Sequence, residues 1–315
     1  MSHSYSGIAC SNQTIWQFNC FKMEQKLTAQ LGITPAEAVT ALAKYESMVS
    51  GVISSSNAAI RENGISKFLK SVSPLMVPFV ALENLCKDFS CTSTTELNKK
   101  LETLACSTDS DSDEGESIEA YFRIDTEWTK FLQQCDVLLA EDTKEVQGTL
   151  ATSMNFVDLK VDELTETGTN EVSVKDVLSR SPMTWFKLIS AEGCQVVVVA
   201  CGVELGARRW KEDTPCQLPM LIDLPRSSYK YFGMVRSVAR VFGVDTMTYY
   251  VNKKFAGGKF LQPYEGVVDD PIQMGGDIIM SRDGDAKLIF LSKSPMDRIN
   301  ISRTLQLLKE KNASK

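Results

Sequence analysis

Residues 193–236, GCQVVVVACGVELGARRWKEDTPCQLPMLIDLPRSSYKYFGMVR, restrict what this chain can fold into more than any other stretch. Gln195 to Cys201 is a continuous, Val-rich apolar run set between Gly193 and Gly202. It is too short for a globular helix and predicts a strand buried on both faces. A polar, helix-like segment follows, with Val203, Leu205, Ala207 and Trp210 as the inward positions. A second apolar run, Pro219 to Ile222, ends at Asp223. Strand, helix, strand is the order of a parallel β unit, because parallel neighbours require a crossover connection.

The amino-terminal half has a different period. Thr34-Pro35-Ala36-Glu37 reads as a capping box with proline at the first helical position. Val39, Leu42, Tyr45 or Glu46, Val49 and Val52 then recur at spacings of three to four, the signature of an amphipathic helix. A second tract runs through Ile65, Phe68, Leu69 and Val72 to Pro74, and resumes through Phe79, Leu82 and Leu85. A third opens at Thr94 or Thr95 with Leu97, Leu101 and Leu104 on one face. A fourth runs from Ile118 through Tyr121, Trp128, Phe131, Leu132, Cys135 and Leu138. Four such tracts predict an all-α helical bundle over residues 26–145, preceded by a disordered tail over 1–25. Residues 107–116 form an acidic, serine-rich run, read either as a phosphorylation or docking site or, in preference, as a solvated loop within the bundle.

The carboxyl-terminal half, residues 150–312, is expected to be a separate α/β domain. Asn155 to Val161 alternates as a half-buried strand does, and Val172 to Leu178 reads as a turn or two of helix. Residues 237–268 carry little pattern. Asp277 to Ser281 and Ala286 to Leu291 flank Asp283-Gly284, a strong hairpin signal, and Asn300 to Lys309 reads as a closing helix.

Charge and cysteine content narrow the function. A net charge of −6 leaves no basic surplus for phosphate, so no nucleic-acid partner is expected. No apolar run approaches the ~20 residues of a membrane span, and the start of the chain lacks a signal core, so a cytoplasmic protein without a membrane partner is expected. Nine irregularly spaced cysteines without a Cys-x-x-Cys pair suit free thiols in a reducing compartment. His3 is the only histidine, which argues against a His-based triad or a His-containing zinc site. No cofactor or metal is expected.

Ile222-Asp223-Leu224-Pro225, followed by Tyr229-Lys230-Tyr231-Phe232-Gly233-Met234-Val235-Arg236, resembles a stretch of the peroxiredoxin-like AhpC/TSA proteins, including their selenoprotein U-like relatives. The Gln273-Met274-Gly275-Gly276 turn, the hairpin after it and Asp297 before the last helix resemble the same family's ending. The Asn155 to Leu159 segment resembles its opening. The resemblance covers residues 150–310. It implies a thioredoxin-like domain: a mixed sheet closed by an antiparallel hairpin and a helix, here following the helical bundle.

The same resemblance implies antioxidant or thiol-redox chemistry, in which a thiolate attacks a peroxide or disulfide and a second cysteine resolves the product, with a thiol reductant as partner. The family's Cys-x-x-Cys lies after a buried strand at the start of a helix, where backbone donors lower the thiol pKa. The corresponding place here holds only Ser179 to Glu192, too few residues for a strand, a helix and their loops. The domain is therefore expected to be incomplete and catalytically impaired. A divergent non-catalytic relative, a splice product and a gene model lacking an exon each account for this. Deletion fits best, since Pro182-Met183-Thr184 reads as the start of the absent strand and Phe186 to Glu192 as the end of the absent helix.

Among the remaining thiols, Cys201 is the candidate catalytic residue because it ends a strand at the carboxyl edge of the sheet; Cys194 and Cys216 precede strands. Arg208 or Arg209 would be its polarising partner. The bland reading of Cys201, a small buried hydrophobe, weighs more. The alternative function is a non-enzymatic adaptor that binds a protein partner through the helical bundle.

Overall fold

The computed structural model describes residues 25–109, 111–147, 156–179, 196–214, 216–258, 264–267, 269–281 and 284–300, with 302, 304 and 306. The tail over 1–24, the segment 180–195 that holds Cys194, and most of the closing helix lie outside the described residues. The chain divides into two compact units. One comprises residues 1–64, 71–131 and 247–259; the other comprises 65–70, 132–246 and 260–315.

The first unit is helical. Residues 25–31 are helical, and α1 (Pro35–Asn63) opens with the expected capping box. Thr34 Oγ1 accepts the Glu37 N–H at 3.2 Å, and Glu37 Oε2 accepts the Thr34 N–H at 2.8 Å. Ala38, Leu42, Tyr45, Val49, Val52, Ser56 and Ile60 make its buried stripe. After the short α2 (Ile65–Phe68), which is assigned to the second unit, come α3 (Val77–Asp88) and α4 (Thr94–Ser107). The long α5 (Asp113–Gln147), assigned to the second unit from residue 132 on, begins inside the acidic run expected to be loop throughout, and Asp113, Glu114 and Glu116 occupy its first turn. Carboxylates are favourable there because the helix amino terminus carries partial positive charge. Trp128, Tyr45, Phe89, Leu97 and Leu104 lie in the core.

The second unit holds a four-stranded mixed sheet in the order β2-β1-β4-β3, from β1 (Lys160–Leu164), β2 (Thr169–Ser173), β3 (Val198–Ala200) and β4 (Met220–Ile222). β1 runs antiparallel to both β2 and β4, and β3 is parallel to β4 with Val199 opposite Leu221. α6 (Val174–Ser179) follows β2, and the crossover between β3 and β4 is α7 (Glu204–Asp213). After β4 come α8 (Ser227–Tyr231), α9 (Val238–Phe242) and α10 (Val244–Phe255), the last assigned from residue 247 on to the first unit. A separate hairpin pairs β5 (Gly276–Met280) with β6 (Ala286–Leu291), Ile278 opposite Ile289. A helical region followed by a partial thioredoxin-like domain, with a mixed sheet and an antiparallel hairpin, is the expected fold class.

Several local expectations are corrected. The strand expected over Asn155 to Val161 is instead a 3-10 turn at Phe156–Asp158 followed by β1. Phe156 and Leu159 are both buried, and a 3-10 turn stacks residues three apart, so their spacing mimicked alternation. The run ending at Cys201 is not buried on both faces. Among the described residues β3 pairs only with β4, which leaves Val199 37% exposed. Leu205 points outward because α7 buries Gly206 and Ala207, a step of one residue around the helix. The unpatterned stretch after Arg236 contains α9 and α10. Part of α9's register is set by Asp136 on α5, which accepts Ser237 Oγ at 2.7 Å and the Val238 N–H at 2.5 Å.

Candidate functional site

Two strands of the second unit end side by side, and each delivers one residue of the candidate site. β4 delivers Asp223, which is fully buried. Its carboxylate accepts the Ser227 N–H at 2.8 Å, the Ser228 N–H at 2.7 Å and the Ser228 hydroxyl at 2.5 Å. A buried carboxylate demands such donors, and here they are the free N–H groups that begin α8. Asp223 also receives the Arg226 N–H through its backbone carbonyl at 2.9 Å, and Arg226 takes the left-handed conformation at φ 59°. The Asp-x-Pro segment is thus the turn that stops β4 and starts α8.

β3 delivers Cys201. Around it stand Tyr229 from α8, Arg226, and the paired acids Asp269 and Asp270. Asp270 Oδ2 accepts from both Arg226 Nη1 and Arg236 Nε, the latter at 2.6 Å. Asp269 Oδ1 accepts the Val203 N–H at 3.0 Å, just before α7. Gly202 makes that approach feasible, since a Cβ there would lie 2.5 Å from Asp269 Oδ1. Tyr229 Oη donates to the Val199 carbonyl at 2.7 Å.

These neighbours set the thiol's state. Burial, then Asp270 and Asp269, push the Cys201 thiol up to about 11, and the opposing pull of Arg226 does not cancel them. Burial, then Cys201 and Asp223, likewise hold the Tyr229 phenol well above its usual range. A nucleophilic cysteine needs the reverse, an electropositive setting that favours thiolate. The arginines expected beside Cys201 are engaged elsewhere. Arg208 donates to the Thr165 and Gly168 carbonyls at 2.9 Å and to Glu204 Oε1 at 2.8 Å, clamping the turn between β1 and β2. Arg209 donates to the Glu265 carbonyl at 2.7 Å. The cation that acts on Cys201 is Arg226, which stands 25 residues further along the chain, a separation that no local spacing reveals. Cys216 is half-buried ahead of β4.

The family's Gly-Gly turn has a local reason at one of its two positions. A Cβ on Gly276 would lie 2.4 Å from the Phe290 carbonyl oxygen, inside the β5–β6 pair, whereas one on Gly275 would meet nothing closer than 3.8 Å. Gly276 therefore permits the hairpin's close pairing. The Asp223 turn, the Tyr229-to-Arg236 segment and this entry to the hairpin, three of the features that carry the resemblance, all lie in one unit. The family model described as AhpC/TSA antioxidant enzyme matches residues 183–294. This region is of the AhpC/TSA family. The match takes in about a third of the chain and spans β3 through β6 of the AhpC/TSA region. No curated protein matches the chain.

Residues 179–192, where the resemblance would put a Cys-x-x-Cys, lie from residue 180 on outside the described residues. In sequence they contain no cysteine. Among the described residues no group of three His, Cys, Asp or Glu side chains is placed to hold a metal, and no helix is long and apolar enough to cross a membrane.

Proposed function

We propose that this protein carries a thioredoxin-like AhpC/TSA region of antioxidant or thiol-redox ancestry that does not itself turn over peroxide. The observation that carries the reading is the setting of Cys201. It is the one described cysteine that immediately follows a strand at the sheet's carboxyl edge, and burial with two carboxylates keeps it protonated at neutral pH. Attack on a peroxide oxygen requires the thiolate, so the ground state of this site is set against the family's first chemical step. The absence of any cysteine from residues 179–192 supports the same reading from the sequence. What persists is the frame around the family's site: the capped Asp223 turn, the Arg226–Asp270–Arg236 cluster and the close-packed entry to the hairpin.

The test is hydrogen peroxide consumption by the full chain with a thioredoxin system or dithiothreitol as reductant. The expected result is no catalytic turnover attributable to Cys201. Rapid turnover that disappears in Cys201→Ser would overturn the proposal.

A further inference from the structure

The turn that ends α3 has features the AhpC/TSA reading does not use. Phe89 caps the helix, the Ser90 N–H bonds to the Lys87 carbonyl at 2.8 Å, and the Cys91 N–H bonds to the Cys86 carbonyl at 2.7 Å. Ser90 lies between them in the left-handed region, at φ 52°. This is a Schellman motif, in which the residue two past the cap bonds back across six residues and the side chains at those two positions pack together. Here both of those residues are cysteines. Cys86 is fully buried and Cys91 is 4% exposed.

Backbone geometry alone limits their separation. The 2.7 Å hydrogen bond joins the nitrogen of one residue to the carbonyl oxygen of the other. With standard bond lengths, the two Cα atoms can then be at most about 6.6 Å apart. That lies inside the ~4.4–6.8 Å range a disulfide spans. Around Cys91 the chain adds a cation: its thiol donates to the Phe89 carbonyl at 3.5 Å, and Lys100 Nζ donates to the same oxygen at 2.7 Å. Two donors on one acceptor place the ammonium beside the sulfur, where it opposes, without cancelling, the upward push of burial and of Glu96 on the Cys91 thiol. Among the described residues no cation acts on Cys86: burial first, then Cys91, Glu83 and Glu96, push its thiol up to about 12.

We propose that Cys86 and Cys91 form a reversible dithiol–disulfide pair, oxidised by hydrogen peroxide and returned to the dithiol by thiol–disulfide exchange with a dithiol reductant, with Cys91 reacting first and Cys86 resolving. The Cys91 thiolate, formed beside Lys100, attacks the terminal peroxide oxygen. The O–O bond breaks, the leaving hydroxide takes up the thiol proton as water, and Cys91 becomes a sulfenic acid. The Cys86 sulfur then attacks the Cys91 sulfur, forming the S–S bond and releasing the sulfenic oxygen, with the Cys86 proton, as a second water. Two electrons pass from the two sulfurs to one peroxide. Burial limits the rate, so the pair reports sustained exposure to peroxide by stoichiometric conversion. This is independent of Cys201.

The sequence supplies its own readout, because trypsin cleaves at Lys70, Lys87 and Lys99 and so separates the two cysteines. The full chain is treated with hydrogen peroxide, residual thiols are alkylated in denaturant, and the non-reduced digest is analysed by mass spectrometry. The expected product is peptide 71–87 joined to peptide 88–99, with equal loss of alkylation at Cys86 and Cys91. Its yield should be unchanged on tenfold dilution of the protein and abolished by dithiothreitol. Full alkylation of both residues after the other cysteines have oxidised, or crosslinking of either to a different cysteine, would overturn the proposal. Lys100→Gln keeps a donor for the Phe89 carbonyl but removes the charge, and should slow formation of the linked pair severalfold. An unchanged rate would overturn the assignment of Cys91 as the first to react.

Discussion

Tyr229 Oη donates to the Val199 carbonyl on the side of β3 that β4 does not use. Along a strand successive residues turn their N–H and C=O groups to alternate sides. Val198 donates to Pro219 and Ala200 accepts from Asp223, so both face β4 and Val199 faces away. The phenol therefore takes an acceptor that a further strand would otherwise use. Tyr229→Phe leaves that carbonyl without its donor and should lower the stability of the second unit by about 1 kcal/mol. Urea denaturation followed by a probe in that unit reads this; an unshifted midpoint would show that solvent replaces the phenol without loss.

Asp223 should be the more sensitive position. Its side chain accepts three hydrogen bonds at zero exposure, and Asp223→Ala leaves two backbone donors and a hydroxyl buried without partners. The expected cost is about 2–4 kcal/mol. Asp223→Asn, which keeps one acceptor oxygen, should fall between that variant and the wild type in the same denaturation series.

The helical unit should carry a pH dependence traceable to Asp125. Burial raises its carboxyl from an ordinary value of 3.8 to about 6, against the opposing hydrogen bond from Tyr45 Oη at 2.8 Å. A carboxyl with a folded pKa above its unfolded one binds its proton more tightly in the folded state. Its contribution is therefore most favourable below about pH 4, declines as pH rises to about 6 and is level beyond, a change on the order of 3 kcal/mol at most. Melting curves of wild type and Asp125→Asn from pH 4 to 7 should diverge, the variant losing less stability on the alkaline side. Parallel curves would remove Asp125 as the cause.

Cys201 should alkylate slowly at neutral pH, with a rate that rises about tenfold per pH unit and does not level off below about pH 11. Asp270→Asn removes a carboxylate that raises the thiol pKa and frees Arg226 and Arg236 from it, so the variant should react faster at pH 8. Site-resolved mass spectrometry after a short pulse of iodoacetamide measures both rates.

A methyl group at Gly276 should disturb the hairpin by meeting backbone. Gly276→Ala brings a Cβ within 2.4 Å of the Phe290 oxygen, so β5 and β6 must separate locally, at a cost of about 1–3 kcal/mol. Gly275→Ala, whose Cβ has room, serves as the control, and hydrogen exchange at Ile278 and Ile289 resolves the difference.

Much of the architecture was readable because periodicity and punctuation are local. The capping box at Thr34 and Glu37, the three-to-four spacing from Leu42 to Val52, the Asp283-Gly284 turn and the Asp223 stop each act within a few residues of themselves. They specify helices, a hairpin and a strand end without knowledge of the rest of the chain. Phe156 and Leu159 show where local reading fails, since a spacing of three fits a 3-10 turn as well as a loose strand.

What sequence order could not convey is the company each side chain keeps. Cys201 and Asp270 are 69 positions apart in the chain, yet the carboxylate helps hold the thiol protonated, and Arg226 rather than Arg208 or Arg209 is the cation that acts on it. Electrostatic and desolvation effects depend on distance in space and on exclusion of water, and both arise only when β3, β4 and the segment at 269–270 are packed together. Residue types and spacings identify the elements, and the resemblance places residues 183–294 beside a family. Whether a given thiol is a nucleophile depends on the folded environment around it.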